Sequence, residues 1–319
     1  MRVLVTTPTF GAQSPDPWSV LSDAGIEAVR PGAAHPLDAG ALAREAEGCD
    51  ALIVGLDDVR GAVLESPTLK VIAKHGVGVD NIDVEAAAAK GITVVNAPGS
   101  NAGGVADLTF ALILAVARRL PEADASCRRG EWHRFPGIEL AGKTLAILGY
   151  GRIGRAVAMR AKAFGLNVVA YDPFVPADAF GDHARPVGLD EALAAADIVS
   201  LHLPGGGPPV LDREALESLR AGTIVVNAAR GDLVDETALA ELLETGRLGG
   251  AALDATAVEP LPADSPLLRA PNLILTPHIG AQTDLANRAM GVLVAEDVVR
   301  VLRGATPRNP VAPKEGHTP

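Results

Sequence analysis

The amino-acid sequence predicts an α/β protein with two doubly wound parallel sheets. Short apolar runs alternate with helical patterns over the first hundred residues, and a second series of the same kind extends over residues 144–275. Such alternation favours parallel sheets covered by helices. A glycine-rich turn between a strand and a helix, at residues 149–154, is typical of the same fold class. The chain has 319 residues, which is enough for two domains.

The first series is predicted to form one α/β unit. Its strands are short runs rich in valine, isoleucine and leucine, and they lie at residues 3–5, 28–30, 51–54, 70–73 and 93–95. Helical patterns separate them at residues 17–24, 41–47 and 84–90. Gly91 follows the last of these helices and is expected to be its C-cap.

A long helix and a second α/β series follow. At residues 101–119, Val105, Leu108, Leu112 and Val116 form one apolar stripe of a helix that we expect to be mostly buried. The next strands are predicted at residues 144–148, 168–171, 198–201, 223–227, 250–253 and 273–275, with a helix at 152–164. The chain is expected to close with a helix at 284–302 and a loose polar tail at 303–319.

Composition and charge argue against several classes of function. The formal net charge of −11 repels phosphate backbones and anionic lipids, so nucleic acid and membrane surfaces are not expected partners. A small anionic substrate is still compatible with this net charge, because positively charged side chains and backbone amides can dominate the local electrostatic potential inside a cleft.

The cysteines and the start of the chain bear on location. Cys49 and Cys127 form no CxxC motif, which argues against a disulfide framework or a metal site and suits a reducing cytoplasm. The sequence becomes polar at Thr6, so the apolar stretch at its start is too short for a signal peptide. No apolar run reaches the ~20 residues of a membrane span. A cytoplasmic protein is expected.

The glycine-rich turn has the G-x-G-x-x-G pattern of dinucleotide-binding turns. Gly149 permits the tight turn, Gly151 lets the backbone approach a pyrophosphate, and Gly154 lets the helix pack closely on the strand. Arg152 and Ile153 open the helix, whose N-terminus would face the phosphates. The pattern therefore predicts a Rossmann-type cofactor site.

Asp172 ends the next predicted strand, at about the 20-residue spacing expected of a carboxylate that binds the adenosine ribose. Its charge would repel a 2′-phosphate, and the following Pro173 and Phe174 supply no arginine. The expected cofactor is therefore NAD rather than NADP.

Three charged or titratable residues follow predicted strands, at the edge where doubly wound sheets bind ligands: Arg230, Glu259 and His278. Hydride transfer to a 2-keto acid needs a cation for the carboxylate and carbonyl, a proton donor, and a group that keeps the donor charged. Each residue also has a structural alternative, namely a strand-end arginine, a solvated loop acid and a core histidine.

Five motifs, in the same order, resemble the D-isomer-specific 2-hydroxyacid dehydrogenase family, which includes D-3-phosphoglycerate dehydrogenases. They cover nearly the whole chain. They are residues 74–83 (KHGVGVDNID), 142–144 (GKT) leading into 149–154 (GYGRIG), 227–231 (NAARG) with 234–236 (VDE), 252–254 (ALD) with 259–260 (EP), and 276–280 (TPHIG).

The resemblance implies roles for individual residues. His278 would be the acid/base, Glu259 would hydrogen-bond its imidazole and favour the protonated form, and Arg230 would hold the substrate carboxylate and polarise the C2 oxygen. The backbone of Gly76, Val77 and Gly78 would grip the substrate carboxylate, with Lys74 and Asn101 nearby. The residues expected beside the cofactor, besides the turn and Asp172, are Pro204, Ala228, Ala229, Arg230, Asp254, His278 and Gly280.

The resemblance also implies a domain plan. A flavodoxin-like substrate domain would comprise residues 1–98 and 284–319, with a Rossmann NAD domain inserted at 99–283 and the helices from Asn101 and Asp284 as hinges. Trp132, His133 and Arg134 resemble the arm of a homodimer. Two interpretations of Arg134 stay open: recognition of a second anionic group in the partner subunit, or a place on the dimer surface or in solvent.

Two segments depart from the family's pattern. Residues 205–209 (GGGPP) replace a loop that usually contains Thr-Pro, which puts contacts on the nicotinamide side in doubt. Gly103 and Gly104 replace bulkier residues at the start of the hinge helix, so we expect a looser hinge or a close ligand. The chain is also expected to have no regulatory domain of the kind that some phosphoglycerate dehydrogenases carry.

The sequence leaves the substrate open. 3-Phosphoglycerate is the first expectation; glyoxylate with hydroxypyruvate, a longer 2-keto acid or phosphonopyruvate would suit the same residues. The alternative from another class is an NADH-sensing binding protein, since the same fold serves transcriptional co-repression in C-terminal binding proteins.

Overall fold

The computed structural model describes residues 1–313, and the contacts within the chain form two compact units. One comprises Met1–Asn101 together with Ala281–Pro319, and the other is Ala102–Gly280. The sequence analysis placed the domain boundaries at 98/99 and 283/284. The final six residues of the expected loose tail, 314–319, lie outside the described residues.

The discontinuous unit contains a five-stranded parallel sheet with its helices. Its elements are β1 (Arg2–Val5), α1 (Asp16–Asp23), β2 (Glu27–Val29), α2 (Ala39–Glu45), β3 (Ala51–Val54), β4 (Val71–Lys74), α3 (Val84–Ala89), β5 (Thr93–Val95) and α10 (Asp284–Leu302). The strand order β2-β1-β3-β4-β5 is the doubly wound order of flavodoxin-like folds, as predicted. The β3 strand is buried along its whole length, as expected of a parallel strand covered on both faces.

The second unit contains a seven-stranded parallel sheet. Its elements are α4 (Ala102–Ala117), α5 (Leu120–Arg128), β6 (Thr144–Leu148), α6 (Arg152–Ala163), β7 (Asn167–Tyr171), β8 (Arg185–Pro186), α7 (Leu189–Ala195), β9 (Ile198–Leu201), α8 (Arg213–Ser218), β10 (Ile224–Asn227), α9 (Glu236–Glu244), β11 (Gly250–Leu253) and β12 (Leu273–Leu275). The strand order is β12-β11-β10-β9-β6-β7-β8. The order reverses between β6 and β9, which is the Rossmann arrangement predicted from the sequence.

The differences from the predicted elements are local. The α4 helix ends at Ala117 rather than at residue 119, because Arg119 adopts a left-handed conformation with φ of 50° and Pro121 opens α5. Four helices that the sequence analysis did not delimit are α5, α7, α8 and α9. They have six to nine residues, too few turns for a 3.6-residue period to stand out. Within residues 1–313, no helix combines the length and apolar character needed to cross a membrane.

Candidate active site

The carboxyl edge of the seven-stranded sheet brings together most of the predicted site. Parallel strands all end at the same edge, so the residues that follow them converge there. Gly149 follows β6, Arg230 follows β10 after a two-residue link, Asp254 follows β11, and His278 lies three residues beyond β12. This edge also includes the point where the strand order reverses.

The three glycines of the turn have distinct surroundings. Gly149 has φ of 99°, and a Cβ there would lie 2.5 Å from the backbone carbon of His202. A Cβ on Gly154 would overlap the carbonyl oxygen of Gly149, so the helix lies directly against the turn. By contrast, a Cβ on Gly151 would meet no atom of the described chain within 4 Å outside its immediate neighbours. The backbone is therefore open to a ligand at Gly151.

Asp172 lies over this turn. Its Oδ2 accepts the N–H of Tyr150 at 2.8 Å, and its Oδ1 accepts the N–H of Phe174 at 2.9 Å. A carboxylate oxygen can accept more than one hydrogen bond, so both oxygens keep capacity for ribose hydroxyls. Gly151 is also the N-cap of α6 and makes no side-chain capping bond. An open glycine, a helix N-terminus and a neighbouring carboxylate together fit a dinucleotide.

The His278 and Glu259 side chains are within hydrogen-bond distance of each other on this edge. The Nδ1 atom of His278 lies 3.1 and 3.0 Å from the two carboxylate oxygens of Glu259. Their side chains are about one-third exposed, at 36% and 32%. Burial raises the pKa of Glu259, but the hydrogen bond and charge of His278, the Thr256 N–H and the charge of Arg230 outweigh it and hold that pKa below its usual value.

Asp254 fixes the turn that carries His278. The Oδ1 atom of Asp254 accepts the Thr276 hydroxyl at 2.6 Å and the Ile279 N–H at 2.8 Å, and its Oδ2 accepts the Gly280 N–H at 2.8 Å. The side chain is buried, at 2% exposure. His278 has φ of 53°, an uncommon conformation for a non-glycine residue. The Asp254 carboxylate holds the turn on both sides of this residue.

Arg230 is half-buried on a segment braced by Asn227. The Asn227 amide donates to the carbonyl of Arg230 at 2.7 Å and accepts the Ala229 N–H at 3.0 Å. The Arg230 Nη1 atom donates to the Ala229 carbonyl at 2.7 Å. Ala228 and Ala229 therefore form a short, internally bonded link between β10 and Arg230.

The predicted glycine-rich loop at residues 205–207 is anchored by Asp232. The Gly206 N–H donates to Oδ2 of Asp232 at 2.5 Å, and a Cβ on Gly205 would lie 2.5 Å from Oδ1. At the far end of the loop, Leu211 accepts the Asp235 N–H at 2.9 Å and donates its own N–H to the Leu233 carbonyl at 3.0 Å. Pro204, at the start of the loop, is exposed.

His202 is held neutral beneath the glycine turn. Burial lowers the pKa of its imidazole to about 3. Its Nε2 atom lies 2.8 Å from the Ser200 hydroxyl. Within the described residues, Nδ1 is buried without a hydrogen-bond partner.

The predicted substrate residues Lys74, Gly76, Val77 and Gly78 belong to the discontinuous unit and follow or end β4. Lys74 is 7% exposed, and its ammonium group donates to the Gly55 carbonyl and to Oδ1 of Asn81. The Val77 carbonyl accepts the Asn96 side chain at 2.6 Å. Asn101 ends the first stretch of this unit, directly before α4, and is half-buried.

Several residues that shape the site were not singled out from the sequence. Asn227, Thr276 and Glu236 stand within the motifs that carried the resemblance, but spacing does not show where a side chain points. Asp232 lies between residues 227–231 and residues 234–236, outside the residues that carried the resemblance. Arg134 is exposed, as are its neighbours Trp132 and His133.

Comparisons with known proteins identify a matching domain model and similar proteins. The family model described as the NAD binding domain of D-isomer specific 2-hydroxyacid dehydrogenase matches residues 110–280. D-3-phosphoglycerate dehydrogenase of Methanocaldococcus jannaschii is 43% identical over 323 residues, which cover 98% of this chain and 59% of that protein. The enzyme of the same name from Mycobacterium tuberculosis is 47% identical over 262 residues, or 80% of this chain and 49% of that protein. The chain thus spans about half the length of the curated relatives it matches.

Among solved structures, that of the TT0316 protein from Thermus thermophilus has a TM-score of 0.89 and 40% identity, covering 98% of this chain and 100% of that one. The domain model covers residues 110–280, and the likeness to this solved structure covers 98% of the chain, so both extend well beyond one motif. The chain belongs to the D-isomer specific 2-hydroxyacid dehydrogenase family, with its NAD-binding domain in the seven-stranded unit.

Proposed function

We propose that this protein is an NAD-dependent dehydrogenase that interconverts a small D-2-hydroxy acid and its 2-keto acid. The observation that carries the proposal is the His278–Glu259 pair, 3.0 Å apart, on the same sheet edge as Arg230 and the glycine turn. An acid/base paired with a carboxylate, a neighbouring cation and a dinucleotide turn are the parts this reaction needs. Nicotinamide would supply or accept the hydride at C2.

His278 is the proton donor in reduction. Its Nδ1 faces Glu259, so Nε2 is the nitrogen that exchanges a proton with the C2 oxygen. Glu259 stabilises the imidazolium and fixes the ring, while Asp254 fixes the backbone on either side. Oxidation uses the neutral ring as the base and improves as the pH rises.

Arg230 binds the substrate carboxylate and polarises the C2 oxygen. A planar guanidinium can engage a carboxylate through two parallel hydrogen bonds, which orients the substrate. The Gly76–Gly78 turn, with Lys74 and Asn101, is proposed to supply further carboxylate contacts from the discontinuous domain, 1–98 and 284–319. Pro204, Ala228, Ala229 and Gly280 are proposed to line the cofactor side.

3-Phosphoglycerate is the proposed substrate. Support comes from the D-3-phosphoglycerate dehydrogenases that are 43–47% identical to this chain. Glyoxylate, hydroxypyruvate and phosphonopyruvate are the alternatives that the same residues could accept. Arg134, exposed on the segment between α5 and β6, is the proposed contact for a second anionic group in a neighbouring subunit.

We also propose that the protein is a homodimer and that it is located in the cytoplasm. Trp132 is 76% exposed and Ile138 is 37% exposed on the same segment, which suits a surface covered by a second copy. A monomeric mass in solution would contradict the dimer.

The test is NADH consumption by wild type with 3-phosphohydroxypyruvate, hydroxypyruvate, glyoxylate, 2-ketobutyrate and phosphonopyruvate. We expect turnover of at least one acid and a loss of roughly 10²-fold or more in His278→Ala, as removal of a general acid should cause. His183→Ala, which alters an exposed histidine of the same unit, is the matched control. NADH binding without turnover of any acid would favour a nucleotide-sensing protein instead.

A further inference from the structure

A second carboxylate, Glu236, lies beside the His278–Glu259 pair. Oε1 of Glu236 accepts the N–H of Ala257 at 2.6 Å, and Oε1 of Glu259 accepts the N–H of Thr256 at 3.2 Å. Two consecutive backbone amides therefore donate to two different carboxylates, which brings both acids to one short stretch of chain. Glu259 is in turn bonded to His278 on its other side.

Glu236 is held firmly in place. It is the first residue of α9, whose N-cap Asp235 accepts the Ala238 N–H at 2.9 Å. Asp235 also donates its own N–H to the Leu211 carbonyl at 2.9 Å. A negatively charged side chain is favoured in the first turn of a helix, so the position suits an ionised carboxylate.

The loop at residues 256–259 packs on Gly231 and is bonded within itself. A Cβ on Gly231 would overlap the backbone of Thr256 and Ala257, so the loop lies directly on the glycine that follows Arg230. The Thr256 hydroxyl donates to the Val258 carbonyl at 2.9 Å, within the loop itself. The bond from Ala257 to Glu236 therefore ties the loop that presents Glu259 to the segment that presents Arg230.

We propose that Glu236 is a positioning residue for the His278–Glu259 pair: it holds the loop that bears Glu259, and its negative charge stabilises the protonated imidazole. This inference rests on the proposed dehydrogenase function. It assigns Glu236 two separable effects, one through the hydrogen bond to Ala257 and one through charge.

The charges around Glu236 agree with this role. Burial raises the pKa of Glu236, the Ala257 N–H lowers it, and the neighbouring Glu259 charge raises it, with a net increase. On the site side, the charge of Glu259 acts on Glu236, and the charges of His278 and Arg230 act on Glu259.

The α8 helix and a short 3-10 turn, which both pack on α9, each carry an arginine. Arg213 of α8 is paired with Glu241 at 2.8 Å, farther along α9. The short 3-10 turn Pro266–Arg269 also packs against α9 and carries Arg269.

The test compares Glu236→Gln, Glu236→Ala and wild type from pH 6 to 10 in the reduction direction. Glutamine keeps an oxygen that can accept the Ala257 N–H but has no charge. In Glu236→Gln we therefore expect kcat at the low-pH plateau to stay within about twofold of the wild-type value. The decrease of kcat/KM with rising pH should occur about half a pH unit lower than in wild type. In Glu236→Ala we expect the same movement plus a loss of about tenfold in kcat, because the loop is no longer tied.

The matched control is Glu244→Gln, which removes an exposed carboxylate from the last residue of the same helix. Its pH profile should coincide with that of wild type. A profile of Glu236→Gln that also coincides with wild type would overturn the charge effect, and an unchanged kcat in Glu236→Ala would overturn the loop effect.

A second readout needs no turnover. The ring signals of His278 in NMR spectra of the isolated protein, assigned by their loss in His278→Ala, should titrate at lower pH in Glu236→Gln than in wild type. If no acid is turned over but this movement is seen, the proposed function fails and the inference about Glu236 stands. If turnover is seen and the ring titrates at the same pH in both proteins, the charge effect of Glu236 is overturned and the proposed function stands.

Discussion

The backbone carbonyl of Asp254 accepts the N–H of His278 at 2.9 Å, while its carboxylate accepts the N–H groups of the two residues that follow His278. One buried side chain thus holds the turn in which His278 adopts φ of 53°. The direction of the imidazole toward Glu259 depends on this turn, so Asp254 links the end of β11 to the proposed acid/base.

Replacing Asp254 by asparagine should weaken that link. An amide group can accept one of the two N–H bonds through oxygen but presents a donor to the other, which leaves a buried N–H without an acceptor. We expect the free energy of unfolding to fall by about 1–3 kcal/mol and kcat/KM to fall by more than tenfold. Steady-state kinetics and denaturant titration measure both quantities. Asp264→Asn, at an exposed position, is the control; equal behaviour of the two variants would contradict the prediction.

The glycines of the cofactor turn should respond differently to alanine. In Gly154→Ala the new Cβ overlaps the Gly149 carbonyl, so we expect a loss of about 1–3 kcal/mol in stability. In Gly151→Ala the Cβ enters the open space proposed for the pyrophosphate, so the melting temperature should be kept while NADH affinity falls about tenfold or more. Calorimetry and NADH fluorescence titration separate the two effects. Unchanged NADH affinity in Gly151→Ala would show that the pyrophosphate does not bind at this position.

The glycine loop should depend on its contact with Asp232. A Cβ on Gly205 would lie 2.5 Å from the Asp232 carboxylate and should displace the loop, whereas a Cβ on Gly207 would meet no atom within 4 Å in the part of the chain that the structure describes. We expect KM for NADH to rise by about tenfold in Gly205→Ala and to stay unchanged in Gly207→Ala. Adding Asp232→Ala to Gly205→Ala should relieve the overlap and recover part of the loss. A KM for NADH that equals the wild-type value in Gly205→Ala as well as in Gly207→Ala would show that the loop does not contact the cofactor.

Stability should fall on acidification because two histidines are buried as neutral rings. Burial is the main cause that lowers the pKa of His75 to about 4, and burial lowers that of His202 to about 3. The unfolded chain takes up these protons below pH ~6.5, whereas the folded chain does not until a lower pH. The free energy of unfolding is therefore highest above pH ~6.5 and decreases as the pH falls toward 4, by up to about 1.4 kcal/mol per pH unit for each histidine.

Urea titrations at pH 7 and pH 5 test this dependence. In His75→Gln the difference in unfolding free energy between the two pH values should shrink by about 2 kcal/mol relative to wild type. The control is His133→Gln, at a side chain 65% exposed, which should keep the wild-type difference. A difference that is the same in wild type and His75→Gln would show that the His75 ring is not held neutral by the fold.

Most of the fold follows from local patterns. Strands such as β3, β6 and β9 were predicted because buried parallel strands are apolar on both faces and end at turns. The short helices α7 and α8 were not delimited because one or two turns carry too little periodicity. Strand order was predicted only through the glycine turn and the resemblance, since pairing joins segments far apart in the chain.

The sequence by itself determined the strands and the longer helices and the dinucleotide turn, because these depend on residue type and spacing, and it predicted Arg230, Glu259 and His278 as site residues with the help of the resemblance. Only the tertiary structure decided which groups hold them: Asp254 under the His278 turn, Asp232 against Gly206, and Glu236 on Ala257. Each of these bonds joins residues 21–26 positions apart, and the two residues of each bond follow different strands. The direction of a loop side chain depends on how such segments cross at the sheet edge, and no local pattern specifies that crossing.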